Sequence, residues 1–223
     1  VRVLGNLKFA VQPRAADASA AALLGQRRPV WVAGSSHDEE EPALLEAHRS
    51  LRTSHPQALL LLAPRHPDRA ARVEQHVAAA GLSGRRLSRT AGQPVAEAVL
   101  IIDELGHLPG WYAAAGFAFV GGTLAPIGGH NPIEPAAAGC PVLVGPDCDH
   151  IQATLDLLAE AGAVWQIEDP AGLTTAVARL ADDSARREAM AAAGLDLVNR
   201  HRGVLEATLE WAEALLAPEH RVG

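Results

Sequence analysis

The stretch GGHNPIEP, Gly128 to Pro135, sets two glycines, a histidine and an asparagine ahead of an isolated glutamate. Upstream it continues into VGGTLAPI, so that four glycines fall within nine residues, Gly121 to Gly129. A carboxylate placed like Glu134 can accept hydrogen bonds from two vicinal hydroxyls, as acidic residues do for ribose in nucleotide-binding folds. A purely structural loop has no need of Gly128, Gly129, His130 and Asn131 followed by Pro132, Ile133 and a glutamate.

Three other stretches carry related chemistry. In AGSSHDEEE, Gly34, Ser35 and Ser36 form a small polar turn before His37 and a helix N-terminus, where free N–H groups and the helix dipole favour an anion; the structural alternative is a plain capped helix with acids in its first turn. In APRHPD, Pro64 and Pro67 stiffen the loop that presents Arg65 and His66. A guanidinium suits a phosphate because its planar fork makes two hydrogen bonds, and the alternative is a surface arginine beside a helix cap. In DELGHLPGW, Leu105, Gly106 and His107 follow a strand, and a glycine there lets the main chain approach a flat base edge; the alternative is a simple strand-to-helix turn. Together these point to a nucleotide or nucleotide-sugar site.

The elements that would position these residues alternate along the chain. Apolar runs at Val30–Gly34, Ala58–Ala63, Arg85–Leu87, Ala98–Asp103, Phe117–Gly121, Pro141–Gly145 and Val164–Ile167 read as strands covered on both faces. Amphipathic segments lie between them at Asp38–Arg52, Pro67–Ala80, Leu108–Ala115, Ile151–Ala161 and Pro170–Ala181. That alternation predicts a Rossmann-like, doubly wound parallel α/β sheet, whose ligands bind beyond the carboxyl ends of the strands. Each of the four stretches follows a strand. Ser36 with Glu39 reads as a capping box, and Asp169-Pro170 as an N-cap with proline at the first helical position. After Asp182 the pattern predicts two helices to about Leu216, broken near His201-Arg202-Gly203.

Composition narrows the function classes. With 48% hydrophobic and 20% charged residues the chain is a folded one rather than a disordered one. A net charge of −7 argues against nucleic-acid binding, which relies on many Lys and Arg contacts to phosphate. Cys140 and Cys148 match no zinc or redox spacing and suit a reducing, cytosolic setting; Cys140 reads as a small buried residue. No apolar run is long enough to span a membrane. The opening VRVLGNLKFA reads as the middle of a longer protein. Trp31 and Trp165 are expected in the core, and His48, His55 and His76 at solvated positions. Trp211, on the last helix, is expected to expose an apolar face through which the domain could self-associate.

GNLKF (Gly5–Phe9), SSHDEEE, PRHP, DELGHL and GGHNPIEPAAAGCPVLVGP resemble, in order and spacing, the C-terminal half of 3-deoxy-D-manno-octulosonic acid (Kdo) transferases. These are the lipid A glycosyltransferases of Gram-negative bacteria. The resemblance covers nearly the whole chain. It implies a GT-B fold of two Rossmann-like domains, of which residues 13–223 would be the CMP-Kdo-binding one and residues 1–12 the interdomain segment. The N-terminal half, absent here, would hold the general-base carboxylate, meet the lipid A precursor and contact the cytoplasmic face of the inner membrane.

By position, the resemblance implies that Pro64, Arg65 and His66 contact CMP, with Arg65 near its phosphate. Leu105, Gly106 and His107 would line the nucleotide, and Gly128 to Glu134 would hold it, with Glu134 on the ribose. Ser35, Ser36 and His37 would face the phosphate or the Kdo carboxylate, and Lys8 would stabilise charge on the departing phosphate. No cofactor and no metal are expected. Two departures stand out: Glu39 replaces a glycine of the family's usual STHEGEE, and His107 replaces a glutamate of its usual D-T-x-G-E. Nucleotide-sugar 2-epimerases share the architecture and a glutamate-bearing helix start, but bind UDP. A non-catalytic nucleotide-binding module is the remaining alternative.

Overall fold

The computed structural model describes residues 6–11, 18–24 and 29–216; Gly5 of GNLKF lies outside them. In chain order the main elements are α1 (Ala18–Leu24), β1 (Val30–Ser36), α2 (Glu41–Ser54), β2 (Leu59–Pro64), α3 (Ala70–Ala79), β3 (Gly84–Arg86), β4 (Val99–Ile101), α4 (Leu108–Ala114), β5 (Phe117–Val120), α5 (Ile133–Ala137), β6 (Val142–Val144), α6 (Gln152–Ala161), β7 (Val164–Gln166), α7 (Pro170–Asp182), α8 (Ser184–Arg200) and α9 (Val204–Leu216). All seven predicted strands form, with ends within two residues of expectation.

They make one sheet in the order β3-β4-β2-β1-β5-β6-β7, every pairing parallel. From β1 the chain first builds one side of the sheet through β2 to β4, then returns to build the other through β5 to β7. The order therefore reverses between β1 and β5, which is where an open parallel sheet leaves a crevice for ligand.

Strand alternation feeds two cores. Trp31, Ala33, Leu60, Leu62 and Phe117 point to the face covered by α2, α3 and α7. Val30, Val32, Leu59, Leu61 and Ala118 point to the face covered by α1 and α4. A third cluster joins Phe9, Val120, Ile133, Val144 and Leu158 beneath α5, α6 and α8. Trp31 and Phe117 stack at 5.8 Å and are fully buried; each such side chain contributes about 1.5–3 kcal/mol of burial. Trp165 is only partly buried and carries the Arg186 guanidinium over its ring at 4.1 Å.

Local start signals hold in one place and fail in another. Asp169 caps α7 by accepting the Gly172 N–H at 2.7 Å. The capping box at Ser36 and Glu39 does not form: Ser36 is the last residue of β1, and α2 begins at Glu41. Its hydroxyl donates to Glu41 at 3.3 Å instead.

The solvated histidines also need correction. His48 is fully buried, because α2 lays this face against the sheet. The indole N–H of Trp31 donates to its Nδ1 at 3.0 Å, so its Nε2 carries the proton and donates to the Ala98 carbonyl at 2.8 Å. Burial holds the imidazole neutral, with a pKa near 4. His76 is tied to Glu41 at 2.7 Å and His55 to Asp182 at 3.1 Å. Cys140 is buried as expected, and Cys148 with it. No helix among the described residues is long and apolar enough to cross a membrane.

Candidate nucleotide-binding site

The loops after β1, β2 and β5 meet at the crevice, and their organising residue is one that sequence inspection passed over. Glu40, 1% exposed, precedes α2 and reaches across to the glycine loop. Its carboxylate accepts the backbone N–H of Gly122 (2.8 Å), Thr123 (3.0 Å), Leu124 (2.8 Å) and Ala125 (3.4 Å). It also accepts the His37 N–H at 3.1 Å. A buried carboxylate is stable only when its lone pairs are met in this way. The only trace in the sequence is one more acid within a run of four, Asp38 to Glu41.

The same crossing explains two glycines. A Cβ on Gly121 would lie 2.2 Å from the Ser35 carbonyl oxygen, so only glycine lets β1 and β5 end this close together. Gly122 has φ +72° and a face occupied by the His130 ring. Ser35 itself has φ +57°, a conformation rare for a side-chain-bearing residue. Thr123 ties the next strand in, donating to the Val120 carbonyl and accepting the Gly145 N–H.

Seated this way, His130 meets His37. Their Nε2 atoms are 2.7 Å apart and the ring planes lie within 7°, with centroids 5.1 Å apart. So short an N–N distance with so long a centroid distance places the rings edge to edge, with one N–H pointing at the other nitrogen. Burial, then the neighbouring His37, Arg65 and His66, push the His130 pKa down to about 4.

Arg65 and His66 stand exposed on the next loop, docked by the Arg65 N–H on the Ser36 carbonyl at 2.9 Å. Arg65 has no carboxylate partner among the described residues, whereas Arg69, four positions on, is held by Asp38 and by buried Glu41. Ligand atoms of Asp38, Glu41 and His76 gather within 4.8 Å, and the Arg69 guanidinium already answers their charge. The α2 N-terminus likewise carries Glu40 and Glu41 beside it, so the helix dipole there is already met by carboxylates.

The remaining predicted residues lie on the β4–α4 loop, at the entrance to α5 and in the segment before α1. Asp103 accepts the Ser88 N–H and hydroxyl at 3.0 and 2.6 Å, which pins the DELGH loop. Leu105 is 78% exposed at its tip, Gly106 has φ +83°, and His107 pairs with Glu104 at 3.3 Å. Asn131 accepts the Ile133 N–H at 3.1 Å and so opens α5. Glu134, in the first turn of α5, is half-buried, and with burial it raises the pKa of Tyr112. Lys8 is exposed. Its segment is anchored by Phe9, which stacks on His201 at 4.4 Å. An Asp-x-Asp spacing stands at Asp147–Asp149 after β6, where the intervening Cys148 is buried.

An all-parallel doubly wound sheet with these loops at its switch point is the domain architecture of GT-B glycosyltransferases. The same fold occurs in a UDP-bound complex of Anabaena Alr3699/HepE, which matches at a TM-score of 0.59 over 86% of this chain and 49% of that one, at 15% identity. No family model matches the sequence.

Individual relatives are specific. The chain is 38% identical over 95% of its length to the 3-deoxy-D-manno-octulosonic acid transferase of Bordetella pertussis, and 32% identical over 94% to that of Haemophilus influenzae. It covers 51% and 50% of those two proteins, about half the length of each. The C-terminal CMP-Kdo binding domain of WaaA from Acinetobacter baumannii superposes with a TM-score of 0.72 at 29% identity, over 78% of this chain and 90% of that one. The chain is therefore a homologue of the Kdo transferases, as its motifs predicted. A UDP-N-acetylglucosamine 2-epimerase from Listeria monocytogenes shares the fold alone, at 18% identity and a TM-score of 0.56.

Proposed function

We propose that this chain is the donor-binding domain of a glycosyltransferase that moves Kdo from CMP-Kdo to a lipid A precursor. The observation that carries this is Arg65, without a carboxylate partner among the described residues, gathered with His37 and His66 around His130 at the sheet's switch point, in a chain whose relatives are Kdo transferases. Arg65 grips the phosphate, and Pro64 and His66 shape its loop. Leu105, Gly106 and His107 cover the base, while Asn131 and the α5 entrance place Glu134 at the ribose hydroxyls. Ser35 and His37 face the phosphate or the sugar carboxylate; the Ser36 hydroxyl is already directed at Glu41.

In transfer, the bond from the sugar's anomeric carbon to the phosphate oxygen breaks and CMP leaves with the electron pair. Preorganised cations, Arg65 and Lys8, offset that developing charge, so the chemistry runs without a metal. The general-base carboxylate, the acceptor site and contact with the cytoplasmic face of the inner membrane belong to the N-terminal half of the relatives' architecture. Alone, this domain binds nucleotide and does not transfer sugar.

Calorimetric titration with CMP, with UMP as control, tests the assignment. Saturable CMP binding that is lost in Glu134→Ala supports it. UMP preference moves the site toward the epimerase class, whose fold it shares. Kdo transfer by this chain alone would refute the division of labour.

A further inference from the structure

The edge-to-edge contact between His37 and His130 has a consequence for protons. In the neutral pair one ring donates through Nε2 and the other accepts, so the donating ring keeps a free lone pair on Nδ1. A single added proton settles on that Nδ1 and leaves the N–H···N bond in place, now charge-assisted and stronger. A second proton would set two N–H groups against each other at 2.7 Å, so the pair takes one proton and no more.

We propose that this pair takes up one proton from solvent as an anionic ligand enters, making anion binding at this sheet edge proton-coupled. The proposal rests on the edge receiving a donor phosphate, as set out above. Its groups are arranged to keep the empty pair neutral. From the β2 loop Arg65 and His66 both press on His130 with like charge. From the β6–α6 turn His150 lies against Gly128. The negative charges close by are committed elsewhere: Glu40 to five backbone N–H groups and Asp38 to Arg69. No carboxylate among the described residues is bonded to either ring. An entering dianion cancels the Arg65 charge and supplies the missing counter-charge, and both effects favour the protonated pair.

Two measurements test this on the whole chain. The first is titration with CMP at pH 7.5 in buffers of different ionisation enthalpy, well above a phosphate monoester's second pKa of about 6. Net uptake approaching one proton per CMP is expected, falling toward zero in His37→Gln and in His130→Gln, which bind more weakly through Arg65. No uptake in the native chain, or uptake in both variants equal to that of the native chain, overturns the proposal. The second follows the ring signals of His37 and His130 by NMR against pH, with and without sulfate, an anion that does not titrate in this range. The midpoint of the pair is expected to rise with sulfate. If CMP fails to bind while sulfate raises the midpoint, the donor assignment falls and the proton coupling stands. If neither anion moves the midpoint, the coupling is wrong.

Discussion

Glu40 and Gly122, 82 residues apart in sequence, are joined by a 2.8 Å hydrogen bond from the glycine N–H to the buried carboxylate. This bond and its neighbours make the β1–α2 turn and the β5 loop one rigid piece. The crevice is thus built around an internal carboxylate, while Arg65 faces solvent.

Replacing Glu40 by Gln tests that role. An amide offers one acceptor where the carboxylate offers two, so its NH2 group must face either the Gly122 and His37 N–H groups or those of Thr123 to Ala125. Breaking a buried charged network of this kind costs about 3 kcal/mol, or roughly 6–12 °C in melting temperature for a domain of this size. CMP affinity should fall with it. A variant that melts within a degree of the native chain would show that the loop holds itself.

Arg65→Ala should behave in the opposite sense. The side chain is exposed and makes no ion pair among the described residues, so thermal stability should hold. Loss of a charge-assisted bond to phosphate weakens binding by roughly 10- to 100-fold, the equivalent of about 1.5–3 kcal/mol. Arg65→Lys should recover only part, because an ammonium lacks the two-pronged fork. Equal calorimetric affinity for native chain and Arg65→Ala would remove this residue from the site.

His48 makes stability pH-dependent. Its folded pKa lies near 4 against a usual 6.5, so below about pH 6.5 the unfolded chain takes up a proton that the folded one refuses. Stability is full above that pH and is lost progressively down to about 4, by a total of about 3 kcal/mol for this one group. His48→Gln can still accept from Trp31 and donate to Ala98 without titrating. Urea unfolding at pH 7.5, 6 and 5 should show a shallower loss in this variant than in the native chain.

Gly121→Ala should be among the most damaging small substitutions. Its Cβ would meet the Ser35 carbonyl at 2.2 Å, and main chain cannot swing aside as a side chain can. A loss of at least about 2 kcal/mol is expected from the forced separation of the strand ends. Alanine at Gly162, where a Cβ meets nothing within 4 Å, is the control. It faces only the modest strain of a left-handed backbone. Equal melting temperatures for the two variants would show that the β1–β5 approach is not needed.

Much of this molecule is written locally. Runs such as Leu59–Leu62 and Phe117–Val120 are apolar on successive residues because both faces of their strands are covered, and that pattern is visible without any partner. Asp169-Pro170 caps its helix with atoms three residues away, and the GGHN and PRHP motifs announce their loops through residue types alone. Sequence therefore determined the strands, most of the helices and the parallel class of the sheet, though not α1. Tertiary structure decided which polar residue answers which. Ser36 and Glu39 had the spacing of a cap, yet the strand ran on through Ser36 and Glu40 crossed to a loop more than 80 residues away. His48 looked solvated until α2 packed over the sheet and gave both ring nitrogens a partner. A buried carboxylate or imidazole is stable only where donors and acceptors converge on it from distant segments, and no local pattern records that convergence.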